Sequence, residues 1–225
     1  MRLAVTGGKG GVGKSTVAYN LGAATGAVVV DGDLGMADLP TAHGPDLHDV
    51  LAGRADPVEA VREDGPVKLL PCGRSLAGAR AADVTELVRT AAAVEHAYGD
   101  VILDCPAGMA ADAGIPLLVA DRSVLVALPD AFALPDALRT RALARELDAG
   151  LAQVVLNKVG DRPPAAAVER ALGAPVTTIP DSAAVRRAGR TGQPVQEVAP
   201  DGPVARAFDS LAAAVSPRDC LTPTR

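Results

Sequence analysis

The chain has 225 residues, 48% of them hydrophobic, enough to bury the core of one large α/β domain. Its net charge is −5, its lysines are confined to Lys9, Lys14, Lys68 and Lys158 and its other basic residues are arginines, a balance that disfavours non-specific DNA binding, which needs a basic face. No uninterrupted apolar run reaches the ~20 residues of a membrane span, and Cys72, Cys105 and Cys220 are too scattered for a disulfide framework or a Cys-x-x-Cys metal motif.

Strands and helices are expected to alternate along the whole chain. Leu3–Thr6 reads as the first strand, followed by a Gly-rich loop and a helix over Ser15–Ala24. Val28–Asp31 is the second strand and Val67–Pro71 the third, with a short helix around Leu47–Ala52 in the irregular stretch Gly44–Pro66. A helix over Asp83–Tyr98 leads to the strand Val101–Asp104. Ser123–Leu128, Gln153–Asn157 and Pro175–Ile179 complete the strands, interleaved with helices Asp136–Ala149, Ala165–Leu172, Ser182–Arg187 and Val204–Val215. Several strands are continuous apolar runs, which implies burial on both faces. The fold predicted is a mostly parallel twisted sheet of about seven or eight strands with helices on both faces, one domain over 1–215 with a short tail at 216–225. Because Met1-Arg2-Leu3 runs directly into a strand, no signal peptide is expected, and the location expected is the cytoplasm, with any peripheral membrane association made through a partner.

The chemistry is concentrated in Gly8-Lys9-Gly10-Gly11-Val12-Gly13-Lys14-Ser15-Thr16. Glycines with this spacing, followed by Lys and Ser, let successive N–H groups curl around phosphate while the next helix points its N-terminal dipole at the same charge. Lys14 can reach the β- and γ-phosphates, and the Ser15 hydroxyl can ligate Mg²⁺. Lys9 is a second cation at the start of the loop, better placed for a partner's nucleotide than for its own.

Carboxylates stand at the ends of two other strands. Asp31 and Asp33 lie two apart, so one can serve a metal-bound water and the other the attacking water. Asp104 closes an apolar strand, the Walker B arrangement that holds Mg²⁺ through water. Asn157, at the end of another strand, offers a donor and an acceptor together, which suits an adenine edge but also simply terminates a strand. His43, His48 and His96 have no ligand spacing and read as surface or structural residues.

With its early lysine, the segment Lys9–Thr16 resembles the deviant phosphate loop of the MinD/ParA family, whose members sandwich two ATP molecules between two subunits. The resemblance continues through Asp31-Gly32-Asp33, through Asp104-Cys105-Pro106-Ala107-Gly108, through Asn157-Lys158 and through Ile179-Pro180-Asp181, and it covers Leu3 to about Leu211. It implies that Lys9 crosses the dimer interface, that Asp33 positions the hydrolytic water, and that Asp31 supports Mg²⁺. It further implies that Gly108 approaches the γ-phosphate, that Asn157 reads adenine, and that Pro180 and Asp181 lie near the base. Asp38 is a further switch candidate, at a position where the family often has Asn.

The implied activity is hydrolysis of ATP to ADP and phosphate, slow without an activator. ATP would drive a homodimer and hydrolysis would release it, as a MinD-like spatial or regulatory switch for a protein partner in cell division or in positioning an organelle or appendage. Direct membrane binding is disfavoured, because Val204, Ala207, Phe208, Leu211 and Val215 read as a stripe packed on the body and residues 216–221 lack clustered cations and aromatics. Iron–sulfur carrier relatives need paired cysteines, which the chain does not have. Two alternatives stand: a nucleotide-dependent scaffold with negligible turnover, and an ATP-dependent small-molecule ligase of the same fold, such as dethiobiotin synthetase.

Overall fold

The structure, a computed structural model, describes residues 1–35, 39–40, 43–108, 111–130 and 134–216. One sheet is built from β1 (Arg2–Thr6), β2 (Val28–Asp31), β3 (Leu69–Leu70), β4 (Val101–Asp104), β5 (Arg122–Ala127), β6 (Gly150–Val159) and β7 (Val176–Pro180). The spatial order is β3-β2-β4-β1-β5-β6-β7, and all these pairings are parallel. The order reverses around β1: the chain leaves it toward β2 and β3, returns to β4, and then builds β5 to β7 on the other side. A parallel sheet binds ligands beyond its strand C-termini at such a switch point.

Ten helices are described: α1 (Lys14–Thr25), α2 (Leu47–Leu51), α3 (Leu76–Ala81), α4 (Leu87–Tyr98), α5 (Ala111–Val119), α6 (Leu134–Glu146), α7 (Ala165–Leu172), α8 (Ala183–Thr191), α9 (Val195–Val198) and α10 (Pro203–Val215). α1 and α10 cover one face of the sheet, with α9 beside them. α4, α5, α6 and α7 cover the other. Alternation along each strand divides the apolar residues between the two faces of the sheet. Leu3, Val5, Val29, Ile102, Val124 and Val126 face α1 and α10, whereas Ala4, Val28, Val30, Val101 and Leu103 face α4 and α5. This is why the strands read as unbroken apolar runs.

The apolar stripe of α10 does pack on the body. Val204, Phe208, Leu211 and Val215 are each no more than 2% exposed, inside the α1 core. Truncating Phe208 to Ala would cost about 3–5 kcal/mol on its burial alone. Among the described residues no helix is long and apolar enough to cross a membrane. Residues 217–225, most of the expected tail, lie outside the described residues.

Several elements differ from the sequence expectation. β3 shrinks to two residues because it is an edge strand between Pro66 and Pro71, joined to β2 on one side and to Arg62 through an isolated antiparallel bridge on the other. β6 runs to Val159 because β5 and β7 both pair with it. The helix expected from Asp83 starts as a short 3-10 turn, with Asp83 capping Thr85, before α4 proper. α8 extends to Thr191, and α3, α5 and α9 were not expected. α5 contains Gly114 and Pro116, which read as breakers, yet Leu117 and Val119 are buried in the α4-side core and hold the helix down.

Candidate functional site

The Gly8–Thr16 loop joins β1 to α1 in the middle of the sheet. Its glycines answer two steric demands. Gly8 abuts α6, where an added Cβ would sit 2.5 Å from Cβ of Asp136. Gly13 is the N-cap of α1 in the left-handed region at φ 98°, and an added Cβ would lie 2.3 Å from Nδ2 of Asn157. No side chain caps α1, so its first-turn N–H groups remain available to an anion.

Lys14 is 7% exposed, Asp31 is fully buried and Asp104 is 1% exposed, an unusual concentration of buried charge. Asp31 and Asp104 are directly paired across β2 and β4. The Asp33 N–H donates to Oδ1 of Asp31 over 3.3 Å, which folds the loop after β2 back over that strand end. Both oxygens of Asp104 are buried without a hydrogen bond; the Ser15 hydroxyl stands close enough to favour the charged form but outside bonding geometry. Burial pushes the Asp104 carboxyl up to about 8, reinforced by Asp31 and Asp33 and opposed by Ser15 and Lys14.

Two orphaned oxygens on a buried carboxylate, next to a hydroxyl, are a hard-oxygen donor set suited to Mg²⁺. Among the described residues no group of three or more His, Cys, Asp or Glu could hold a metal alone, so phosphate and water must complete such a site.

A cavity of about 820 Å³ opens beside the loop. Of the expected nucleotide residues, Gly11, Gly13, Lys14, Ser15, Thr16, Asn157, Pro180 and Asp181 line it. Gly8, Lys9, Gly10 and Val12 belong to the same loop but do not line the cavity, and Val12 is buried beneath it. Gly108 has φ 94°, a backbone position that excludes most side chains. Asp38 lies outside the described residues.

Asn157 is 7% exposed and engages the loop itself: Nδ2 donates to the Val12 carbonyl at 2.8 Å, and Oδ1 accepts from the Lys158 N–H at 2.9 Å. The sequence reading did not foresee these struts. It also missed Tyr19, whose hydroxyl donates to the Gly192 carbonyl at 2.7 Å, and Arg74 at the cavity rim. Neither carries a motif, and only the fold brings them to the cavity.

His48 is 2% exposed and is tied to the Leu34 carbonyl at 3.2 Å. Cys72 lies 3.4 Å from the same imidazole nitrogen, and burial, with Asp31, Asp46 and Asp33 nearby, pushes its thiol up to about 12. Cys105 is also buried, and Cys220 lies outside the described residues.

Residues 3–195 match the sequence model of the CobQ/CobB/MinD/ParA nucleotide binding domain. The chain belongs to this family. An uncharacterized ATP-binding protein of Methanocaldococcus jannaschii is 33% identical over 227 residues, spanning 94% of this chain and 86% of that protein. The crystal structure of the cell division ATPase MinD from Pyrococcus furiosus superposes with a TM-score of 0.88 at 31% identity, over 95% of this chain and 97% of that one. The septum site-determining protein MinD of Pyrococcus horikoshii OT3, complexed with Mg-ADP, gives a TM-score of 0.89 at 29% identity, over 96% of each chain. The expected MinD/ParA membership and α/β P-loop architecture are therefore both confirmed, and the chain is a MinD-like ATPase by family.

Proposed function

We propose that this MinD-like ATPase is a dimerisation switch: Mg-ATP joins two copies and hydrolysis separates them. The observation that carries the reading is the buried cluster of Lys14, Asp31 and Asp104, set at the phosphate loop beside a cavity large enough for a nucleotide. The domain is taken as residues 1–215.

Lys14 and the N–H groups of Gly11, Gly13 and Lys14 neutralise charge on the β- and γ-phosphates. Ser15 would hold Mg²⁺, with Asp104 and Asp31 serving its bound waters. Bound there, Mg²⁺ would supply charge neutralisation on the transferring phosphoryl group. Asp33 orients water in line with the γ-phosphorus; a P–O bond to water forms as the bond to the β-phosphate oxygen breaks, giving ADP and phosphate. Lys9, outside its own cavity, reaches the other subunit's phosphates, so full turnover needs the dimer. Gly108 and Asp38 belong to the segments that follow the γ-phosphate. Pro180 and Asp181 flank the base, and Asn157 serves it through its remaining N–H.

The output is read by a regulatory protein partner, with the cytoplasm as the expected location. The acidic surface argues against DNA as the target, and the buried stripe of α10 argues against direct membrane insertion by that helix. Solution mass in Mg-ATP, in Mg-ADP and without nucleotide tests the switch. Wild type and Asp33→Ala should double in mass only with ATP, Asp33→Ala persistently, and Lys9→Ala should stay monomeric. A mass indifferent to nucleotide in all three proteins would refute it.

A further inference from the structure

β6 breaks register with β7 near its C-terminal end. Asn157 pairs with Ile179 and Val159 with Pro180, so Lys158 is an extra residue with no partner on β7. Lys158 also has φ 56°, the left-handed region that a residue with a Cβ enters only at a cost. Such bulges cluster next to active sites and re-aim side chains. In a regular strand Asn157 and Lys158 would point to opposite faces. Here both reach the phosphate loop: Asn157 grips the Val12 carbonyl, and Nζ of Lys158 donates to the Gly11 carbonyl at 2.8 Å. Among the described residues these are the side-chain hydrogen bonds to the loop between Lys9 and Lys14.

A trans peptide is planar, with its C=O and N–H pointing in opposite directions. Gripping the Gly11 and Val12 carbonyls therefore sets the directions of the Val12 and Gly13 N–H groups. The exposed ammonium of Lys158 could otherwise stay fully hydrated, yet the strained bulge holds it against the loop that must receive a polyphosphate.

We propose that Lys158 is a positioning residue for triphosphate binding: the bulge aims its amine at Gly11 and so fixes the loop half that follows Lys9. This rests on the reading of Gly8–Thr16 as the nucleotide site. Lys158 acts through the backbone, and Lys14 remains the residue that meets phosphate.

The test uses the full chain with Lys158→Met, Lys158→Gly and Lys158→Arg. Lys158→Gly keeps the left-handed backbone at no steric cost, so its fold is safe even if Lys158→Met is unstable. Amide exchange of residues 10–13 without nucleotide should speed up about tenfold in the Met and Gly variants, as expected for losing one charged hydrogen bond, and stay near wild type in Lys158→Arg. Affinity for inorganic triphosphate should fall about tenfold in the same two variants and recover in Lys158→Arg. Unchanged loop exchange in Lys158→Gly would overturn the proposal, as would an increase spread evenly over β6 and β7. The exchange arm needs no ligand. A wild type that binds no triphosphate would therefore defeat the nucleotide reading alone, while exchange still decides the role of Lys158.

Discussion

Asn157→Ala separates two roles that the residue could have. As a base reader only, its loss would leave the nucleotide-free protein untouched. The structure instead gives its amide two hydrogen bonds, to the Val12 carbonyl at 2.8 Å and from the Lys158 N–H at 2.9 Å, at a site only 7% exposed. Each buried bond contributes about 1 kcal/mol, and orphaning the Val12 carbonyl adds a further desolvation cost, so the variant should lose about 2–3 kcal/mol. In a domain of this size 1 kcal/mol moves the melting temperature by about 2–4 °C, which gives a drop of about 4–12 °C without nucleotide. Circular dichroism melting measures that drop, and titration with ATP and with inorganic triphosphate measures the site. Because the loop is the part released, both ligands should weaken together. Unchanged melting, with triphosphate affinity intact and only ATP weakened, would refute the strut and leave Asn157 as a reader of the base.

Further outcomes follow from the same geometry. The Asp104 carboxyl titrates near 8 in the folded chain and near 3.8 in the unfolded one, so the native state holds the extra proton between these values. Unfolding free energy should therefore fall as pH rises from about 4 to about 8, and Asp104→Asn should flatten that slope and raise metal-free stability at pH 8.5 in urea titrations. An unchanged slope in the variant would place the titration elsewhere. Gly22→Ala in α1 should destabilise by about 1–2 kcal/mol despite better helix propensity, because the new Cβ would lie 2.3 Å from Cγ2 of buried Val29; a gain in melting temperature would show that the core can yield there. Cys72 should resist thiol reagents in the native state at pH 8, being 1% exposed with its thiol pushed up to about 12, and react once urea unfolds the chain; mass spectrometry of the labelled peptide reads this directly.

The sequence alone determined the phosphate loop, the order of the strands and of the longer helices other than α5, and the acids that end β2 and β4. Those features are local: a loop of glycines around Lys14 has few uses other than phosphate, and continuous apolar strands separated by helices have few arrangements other than a parallel sheet covered on both faces. Val28–Asp31 and Val101–Asp104 matched residue for residue because both are central strands with apolar residues on each face. Edges and interruptions were less legible. β3 shortened because only β2 and one bridge pair with it, and α5 formed through Pro116 because burial of its apolar residues outweighed propensity. Tertiary structure alone decided the burial of Asp104 with both oxygens orphaned, and the approach of Asn157 and Lys158 to carbonyls about 145 residues earlier. Desolvation depends on everything packed around a group, and a bulge depends on the register of two neighbouring strands. Neither is a property of the residues next to it in the chain.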